Sequence, residues 1–272
     1  MQGRWEMTAL VDELVGAWRS GVPLDLAERP VATPQTLDEA YVAQAEHLAR
    51  RIAISGGAQT GYKLGATSTA TMKALGFAEP FHGPILSAWT HASPATLRRG
   101  DFFVCAIELE VGFRIGADIL DPQIDAAALR DSIAEVFPTL EVADSRFRQK
   151  QRPGPEAIVA DLGNAGALVI GAPVANWRAL DLEAMAVTLM ADGEAVASGS
   201  GALVVDGPLG QLLRFARSRA AMGAPLKAGD IVSSGSCIPP WPAPVGPAPA
   251  GAGRLTLLGH LQGLGEVSLT LT

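Results

Sequence analysis

Cysteine and histidine are scarce in this sequence, which has two cysteines and four histidines among 272 residues. Cys105 and Cys237 lie far apart in the sequence and show no metal-ligand spacing. Cys105 stands among apolar residues, where a reduced and buried thiol is the ordinary expectation. With so few of these ligands, a disulfide framework and a zinc enzyme are both poor interpretations of the sequence.

Long apolar runs and clusters of positive charge are missing as well. No stretch approaches the roughly 18 apolar residues of a membrane span, and the N-terminal residues lack the apolar region of a secretory signal. No run of Lys or Arg exceeds two residues, and the net charge is −7. We therefore expect a cytoplasmic protein, with neither nucleic acid nor a membrane as its partner.

Several catalytic motifs are also lacking. The sequence contains no Walker A motif and no Gly-x-Gly-x-x-Gly fingerprint after a strand. It has no Gly-x-Ser-x-Gly elbow, and the stretch 198–201 lacks the strand–helix context that such a nucleophile needs. Nucleotide binding and serine-hydrolase chemistry are accordingly not indicated.

The residues that are present describe a well-buried globular protein, with 48% hydrophobic and 18% charged residues. Residues 7–19 have the apolar spacing of one helix face. A second helix is predicted from the cap Thr36, with Glu39 completing a capping box, to the glycines at 56–57. We expect residues 1–57 to form a helical N-terminal segment and residues 58–272 to form one catalytic domain.

Beyond residue 60 the pattern changes to short strands separated by glycine and proline. Strands are predicted at 61–66, 102–115, 139–144, 165–173, 231–235, 255–258 and 266–271, with a hairpin at 188–197. Helices are predicted at 70–75, 125–136 and 209–222, a loop at 80–84, and irregular chain at 239–253. This order predicts an α+β domain rich in antiparallel pairing.

The strand within 102–115 carries two carboxylates on one face. Glu108 and Glu110 alternate with apolar residues, which places the two side chains roughly 7 Å apart along the strand. Buried carboxylates at that separation repel each other and need a cation to stay ionised. A half-exposed strand with a hydrated acidic face is the simpler interpretation of this stretch alone.

Glu141 and Lys63 extend this candidate site. Glu141 lies on a second predicted strand, and three carboxylates without nearby Cys or His suit a hard cation such as Mg²⁺ or Mn²⁺. Lys63 is the only charged residue between Arg51 and Lys73. In apolar surroundings near a metal its pKa would be depressed and it could transfer protons, whereas a lysine on an edge strand would simply be solvated.

Together these motifs resemble the 2-keto-4-pentenoate hydratase and 4-oxalocrotonate decarboxylase group of the fumarylacetoacetate hydrolase superfamily. The stretches that carry the resemblance are 61–68, 107–110, 138–146, 159–166, 229–236 and 263–268. The resemblance implies a mixed β-barrel or roll core with a helical N-terminal segment. It also implies metal ligation by Glu108, Glu110 and Glu141, and a catalytic role for Lys63. Residues implied to bind substrate or position water are Thr67, Ser68, Asp161, Asn164 and Ser236.

One loop departs from the hydratase pattern. Hydratases of the group typically carry an aspartate after the proline of the loop that here reads Glu-Pro-Phe-His-Gly-Pro, and this sequence has Phe81 there. The decarboxylases also lack that aspartate. His82 is a candidate for the missing acid or base, or alternatively a packing or orienting residue.

The resemblance implies a metal-dependent hydratase that converts a 2-hydroxy-2,4-dienoate into a 4-hydroxy-2-oxo acid. The first alternative is decarboxylation of a 2-oxo-3-enedioate. Hydrolysis of a carbon–carbon bond and a non-catalytic subunit that stabilises a partner enzyme are further alternatives. Expected partners are a small 2-oxo or 2-hydroxy-dienoic acid and Mg²⁺ or Mn²⁺. A homo-oligomer is expected, and association with another enzyme of the pathway is left open.

Overall fold

The computed structural model describes residues 2–148, 153–245 and 253–272, with side chains from residue 8 onward. Its helices lie mostly in the N-terminal part and around the edges of two sheets. They are α1 (Gln2–Ser20), α2 (Leu37–Ser55), α3 (Thr69–Leu75), α4 (Ala126–Asp131), α5 (Pro155–Ala160) and α6 (Gly207–Ala221). The helical N-terminal segment predicted from the sequence is therefore present.

The strands alternate in chain order with short turns and helices. They are β1 (Gln59–Gly65), β2 (Phe81–Leu86), β3 (Thr90–Ala92), β4 (Ala95–Leu97), β5 (Ala106–Ile115), β6 (Ile133–Ala143), β7 (Ala165–Ile170), β8 (Ala186–Ala191), β9 (Glu194–Ser200), β10 (Ile231–Ser233), β11 (Trp241–Pro242), β12 (Leu255–Leu261) and β13 (Gly265–Leu271). One sheet has the order β2-β1-β10-β5-β6-β7-β3, with β11 on β5, and the other has the order β4-β13-β12-β8-β9. Most pairs are antiparallel, as predicted.

The larger sheet separates the main core from the face that carries the polar residues of interest. Leu109 and Val111 of β5 lie on one face, in a cluster with Leu189 and Leu269 of the smaller sheet. The larger sheet curls so that β2 comes into contact with β7. Its opposite face thereby lines the inside of a half-barrel, in which polar side chains can be enclosed.

The N-terminal helices pack on the segment between β6 and β7. Buried residues of α1, such as Leu10 and Leu14, share a cluster with Phe147 and Ala160. The Thr36 hydroxyl accepts a hydrogen bond from the backbone N–H of Glu39 at 3.3 Å, so Thr36 is the N-cap expected for α2. The division between residues 57 and 58 into two domains stays a prediction. No helix in the described parts of the chain is both long and apolar enough to span a membrane.

The loop predicted at 80–84 is instead the start of edge strand β2. Gly83 and Pro84 suggested a loop, but an edge strand tolerates proline because one of its sides needs no hydrogen-bond donor. A Cβ on Gly83 would lie 2.3 Å from the backbone oxygen of Leu162. Glycine is needed here because another segment approaches the strand, and no turn is formed.

The helix predicted at 125–136 ends at Asp131, and β6 begins at Ile133. Ile133 and Val136 are three residues apart, a helical spacing, and both are buried in the core. They pair with Ile115 and Phe113 of β5 across an irregularity in register next to Arg114. The bulge adds one residue to β6. Ile133 and Val136 can therefore both face the core although they are three residues apart, and that spacing resembles one face of a helix.

Candidate active site

Four neighbouring strands, in the order β1-β10-β5-β6, bring the predicted site residues together with Ser233 onto the inside of the half-barrel. Glu108 of β5 lies directly opposite Glu141 of β6. Lys63 of β1 pairs with Ser233 of β10. Directly opposite residues of paired strands project from the same face of a sheet. The sheet therefore assembles on one face residues that are up to 170 positions apart in the sequence (63 to 233).

Glu108, Glu110 and Glu141 form a compact carboxylate cluster. One oxygen from each of the three residues lies within 4.8 Å of the others. Glu110 is 0% exposed and Glu141 is 2% exposed. Within the described part of the chain, Glu110 Oε1 and Glu141 Oε2 have no hydrogen-bond partner. Buried carboxylate oxygens that converge without donors fit a hard divalent cation, which prefers oxygen ligands.

The second oxygen of Glu110 is fixed by residues that sequence reasoning missed. Glu110 Oε2 accepts hydrogen bonds from the Ser233 hydroxyl and, at 3.0 Å, from the backbone N–H of Gly235. The Thr139 and Ser233 hydroxyl oxygens lie 2.9 Å apart, so these side chains support each other. Polar residues within the short predicted strand 231–235 were the available signal. The arrangement orients Glu110 Oε1 toward the other carboxylates.

Burial and mutual repulsion govern how these carboxylates ionise in the absence of a cation. Burial, and then the charges of Glu141 and Glu108, raise the pKa of Glu110 well above its usual value. Burial raises the pKa of Glu141 to about 7, although the nearby ammonium of Lys63 lowers it. The cluster thus holds protons that a bound cation would displace.

Lys63 lies within the cluster and faces two acceptors. Its Nζ is 3.0 Å from Glu141 Oε1 and donates to the backbone oxygen of Gly163, also at 3.0 Å. Burial alone lowers the pKa of Lys63, but Glu141, Glu108 and Glu110 together raise it above its usual value. Without a cation, the acidic neighbours therefore outweigh the apolar surroundings, and the shift runs opposite to the one expected for a lysine beside a metal.

An unusual turn presents the Gly163 carbonyl to Lys63. Leu162, Gly163 and Asn164 have φ angles of 56°, 62° and 59°. The left-handed region costs a residue other than glycine on the order of 1 kcal/mol. The turn packs on Gly83, where any larger residue would collide with it. The turn is therefore strained, and the strained backbone places the Gly163 carbonyl where it accepts the hydrogen bond from Lys63.

A cavity of about 280 Å³ opens on the side of Glu108. Three of the predicted substrate-binding residues, Thr67, Ser68 and Ser236, line it together with Glu108. The rest of the wall is mainly apolar and includes Leu64, Ala70, Ala74, Leu203 and Ile238. None of the described residues that line it is Lys, Arg or His. The cavity can take a small molecule that reaches the carboxylate cluster at one end.

The hydroxyl groups that line this cavity already make hydrogen bonds or close contacts within the protein. Ser68 caps α3, where its hydroxyl accepts from the backbone N–H of Thr71 at 3.1 Å. The Ser236 hydroxyl donates to the backbone oxygen of Ile238 at 2.8 Å. Thr67 is 3% exposed and packs against Gly235. A Cβ at position 235 would lie only 2.0 Å from the Thr67 hydroxyl oxygen, so only glycine fits there. These contacts fix the orientation of the polar groups in the wall.

Asp161 and Asn164 are outside the lining of this cavity. Asp161 is 0% exposed, and its Oδ1 accepts from Arg146 Nε at 2.6 Å. Its Oδ2 accepts from the backbone N–H of Arg146 at 2.7 Å. Asn164 belongs to the left-handed turn, and its Oδ1 has no partner among the described residues. The structure thus places Asp161 behind the turn as part of an ion pair.

His82 is not among the residues that the sheet gathers around the carboxylates. It pairs with Leu64, so it projects from the face opposite to that of Lys63. Its ring stacks on Tyr41 with centroids 4.4 Å apart and lies 5.2 Å from the ring of Phe215. Burial, and then the charge of Arg219, lower the pKa of His82 to about 4. At neutral pH it is an uncharged ring packed between helices.

Phe81, the residue that departs from the hydratase pattern, lies beside the lysine. Lys63 Nζ is 5.4 Å from the centre of the Phe81 ring. The ring stacks on Phe77 and covers Gly65, where a Cβ would lie 2.2 Å from it. Phe81 therefore gives Lys63 an apolar wall and supplies no proton-transfer group.

Comparison with known proteins agrees with this geometry. Residues 59–250 match the family model described as fumarylacetoacetate (FAA) hydrolase C-terminal. The chain is 30% identical over 226 residues to a 2-keto-4-pentenoate hydratase of Paraburkholderia xenovorans, covering 83% of each protein. It is 28% identical over 233 residues to a 4-oxalocrotonate decarboxylase of Pseudomonas putida, covering 86% of this chain and 84% of that protein.

A solved structure resembles the whole fold. The 4-oxalocrotonate decarboxylase from Pseudomonas putida G7, complexed with magnesium and adipate, superposes with a TM-score of 0.85 and 25% identity. The match covers 99% of this chain and 98% of that chain. The extent of these matches, together with the buried carboxylates, shows that the chain belongs to the fumarylacetoacetate hydrolase family.

Proposed function

We propose that this enzyme adds water to a 2-hydroxy-2,4-dienoate and releases a 4-hydroxy-2-oxo acid. The observation that carries the proposal is the cavity that ends at Glu108, which is of small-molecule size and largely apolar. The described part of its wall offers no cation to a second carboxylate, and burying an unpaired charge is costly. A substrate whose single carboxylate lies at the metal end fits this wall better than a dicarboxylate does.

Glu108, Glu110 and Glu141 would hold Mg²⁺ or Mn²⁺, for which their unpartnered oxygens are suited. Such an ion supplies electrostatic stabilisation of the negative charge that develops on the 2-oxygen during enolisation. The Ser233 hydroxyl and the Gly235 N–H keep Glu110 oriented for this task.

Lys63 is the proposed proton carrier. The ammonium has three donors, and two of them face Glu141 and the Gly163 carbonyl. The third is available to a substrate that enters beside the cluster. In the overall reaction a proton reaches C5 and the enol proton leaves, and water then adds its hydroxyl to C4 and a proton to C3. Lys63 would hold or deliver the proton in these steps, while Phe81 excludes bulk water from one side.

Thr67, Ser68 and Ser236 are proposed to contact the substrate or a water molecule, because they line the cavity beside Glu108. Asn164, with its free Oδ1, is proposed to interact with bound substrate from the side of the turn. Asp161 and Arg146 would act indirectly, as positioning residues that hold the turn in place. A catalytic role for His82 stays a prediction that its position on the opposite face of the sheet does not favour.

A second candidate is decarboxylation of a 2-oxo-3-enedioate, and Phe81 is the observation that favours it. Loss of CO₂ needs no aspartate beside the lysine, and an apolar wall destabilises the carboxylate that departs. We further propose a homo-oligomer with a cytoplasmic location.

Product analysis separates the two reactions. The purified protein would be incubated in Mg²⁺ or Mn²⁺ with 2-hydroxypenta-2,4-dienoate and, separately, with 2-oxohex-3-enedioate, and the products followed by NMR. We expect 4-hydroxy-2-oxopentanoate from the first acid and little reaction of the second. Release of CO₂ from the second with no hydration of the first would overturn the hydratase proposal. The variant Glu141→Gln is the inactive control for both.

A further inference from the structure

Arg51 is a buried cation with no hydrogen-bond acceptor among the described residues. It lies on α2 and is 3% exposed, and its Nε and Nη1 atoms are shielded from water without a partner. No carboxylate of the described residues lies within ion-pair distance of its guanidinium. Leaving charged donors buried and unpaired is costly, so an arrangement of this kind indicates a missing anion.

Two tryptophans hold this guanidinium. Its central carbon lies 3.6 Å from the ring centre of Trp18 and 4.1 Å from that of Trp89. The cation–π contacts stabilise the charge. These contacts do not satisfy the hydrogen-bonding capacity of the N–H donors, because Nε and Nη1 still have no acceptor among the described residues. The two rings thus hold the guanidinium group of Arg51 in place and leave its N–H donors available to a planar acceptor such as a carboxylate.

Outside the described side chains the sequence contains little negative charge. Among residues 1–7, 149–152 and 246–252, the only acidic side chain is that of Glu6. Glu6 precedes Trp18 by 12 positions in α1, and at 1.5 Å per residue this is roughly 18 Å along the helix axis. The acceptor is therefore best sought outside the chain.

Arg51 faces a cavity large enough to hold a ligand. The cavity measures about 890 Å³, and its wall includes Trp18, Trp89, Phe102 and Phe103 together with Arg19 and His91. Asp101, Asp144 and Arg146 also line it, and Arg146 is already paired with Asp161. The two acids in the wall disfavour a multiply charged anion such as phosphate, while the aromatic residues favour an apolar body. Burial, and then the charge of Arg146, lower the pKa of Arg51 to about 8 although the charges of Asp161 and Asp144 raise it, so a further negative charge beside Arg51 would stabilise its charged form.

We propose that this cavity is a binding site for a small organic monocarboxylate, whose carboxylate pairs with Arg51 and whose apolar body lies against the aromatic wall. The site is separate from the 280 Å³ cavity that ends at Glu108. It shares Trp89 and the segment 165–167 with a small pocket of about 20 Å³ that is lined by Lys63 and Glu141. One face of the anion site is thus a wall of the active site. The proposal does not depend on which reaction the enzyme catalyses.

The test uses benzoate as the probe, with protein kept free of metal by a chelator so that the carboxylate cluster cannot bind it through a cation. Tryptophan fluorescence reports on the contacts of Trp18 and Trp89, and calorimetry gives the stoichiometry. Benzamide is the uncharged isostere, and inorganic phosphate is the multiply charged comparison. We expect saturable binding of one benzoate per chain, a higher melting temperature with benzoate, and much weaker binding of benzamide and phosphate.

Two variants give the proposal its sharpest control. Arg51→Met should weaken benzoate binding by about 10- to 100-fold, the usual effect of removing hydrogen bonds to a charged group. Arg178→Met is the matched control, because Arg178 also lies over a tryptophan, Trp177, but on another part of the surface. Arg51→Lys, which keeps the charge without the planar fork, should bind with intermediate affinity and serves if the methionine variant does not fold.

Several results would overturn the proposal. These are the absence of saturable benzoate binding, equal affinity in Arg51→Met and the wild type, and binding of benzamide or phosphate as tight as that of benzoate. If instead Arg51→Met changes the oligomeric state measured by sedimentation while the wild type ignores benzoate, a second copy of the chain supplies the acceptor. The monocarboxylate assignment is then wrong.

Discussion

Replacing Glu110 by glutamine is predicted to stabilise the metal-free protein and to abolish its response to metal. Glu110 is fully buried, and one oxygen from each of its two acidic neighbours lies within 4.8 Å. At an effective dielectric constant of about 20, two full charges at that distance repel by about 3 kcal/mol. Because the pKa of Glu110 is raised, a proton relieves part of this repulsion. We expect a net gain of about 2 kcal/mol, or about 4–8 °C in melting temperature.

Local contacts favour the amide in the metal-free state. The glutamine oxygen can keep the hydrogen bonds from the Ser233 hydroxyl and the Gly235 N–H. Its NH₂ group would then face Glu108 and Glu141 and donate to them. The substitution therefore removes repulsion without leaving a donor unpaired.

The pH dependence has a defined sign. A carboxyl group whose pKa is higher in the folded than in the unfolded protein takes up protons on folding, so its contribution to stability is lost as the pH rises above the usual value of 4.5. The metal-free wild type should therefore lose the stability contributed by Glu110 as the pH rises from about 4.5 toward its raised pKa. Glu110→Gln lacks this titrating group and should not show the loss. Its melting temperature should therefore exceed that of the metal-free wild type by a margin that grows with pH.

Bound metal should make the wild type more stable than Glu110→Gln. At a concentration of Mg²⁺ or Mn²⁺ equal to 100 times its dissociation constant, the wild type should gain about 2.7 kcal/mol. Glu110→Gln should gain little or nothing. The measurement is thermal unfolding with chelator and with metal at several pH values. Glu135→Gln is the matched control, since Glu135 lies on β6 in a half-exposed ion pair with Arg114 and should behave as the wild type. A lower metal-free melting temperature for Glu110→Gln, or an undiminished response to metal, would refute the reasoning.

Three further predictions concern the residues around the cluster. Metal affinity should fall as the pH drops below about 7, by roughly tenfold per pH unit for each proton that the ion displaces, because protonation of Glu141 and Glu110 competes with the ion. Calorimetry would show proton release on binding, and a flat profile would contradict the prediction. Lys63→Met should keep metal binding but lower kcat by about 10²- to 10⁴-fold, as loss of an acid–base group does; activity near that of the wild type would remove Lys63 from the mechanism. Arg146→Met should destabilise the fold by about 3–5 kcal/mol in denaturant unfolding, because it leaves Asp161 buried without its partner; a loss below 1 kcal/mol would show that the pair is dispensable.

Sequence patterns alone predicted a strand within 102–115, of which 106–115 is strand β5, together with the two carboxylates on one of its faces and the resemblance to the family. Local patterns suffice there, because alternation of apolar and charged residues is a property of a few consecutive positions. The prediction of Glu141 and Lys63 also needed only their motifs. The helical N-terminal segment and the antiparallel pairing followed from periodicity and from glycine and proline positions.

Properties that depend on contacts between distant segments could not be predicted from local patterns. The direction of the Lys63 pKa shift is set by three carboxylates on other strands, and no local pattern shows their distance. His82 is separated from the site because its pairing with Leu64 turns it to the opposite face. Strand β6 replaced a predicted helical turn because pairing with β5 and a bulge outweigh helical spacing. Arg51 looks in the sequence like one more residue of a helix surface, and only the folded chain shows it enclosed between two tryptophans.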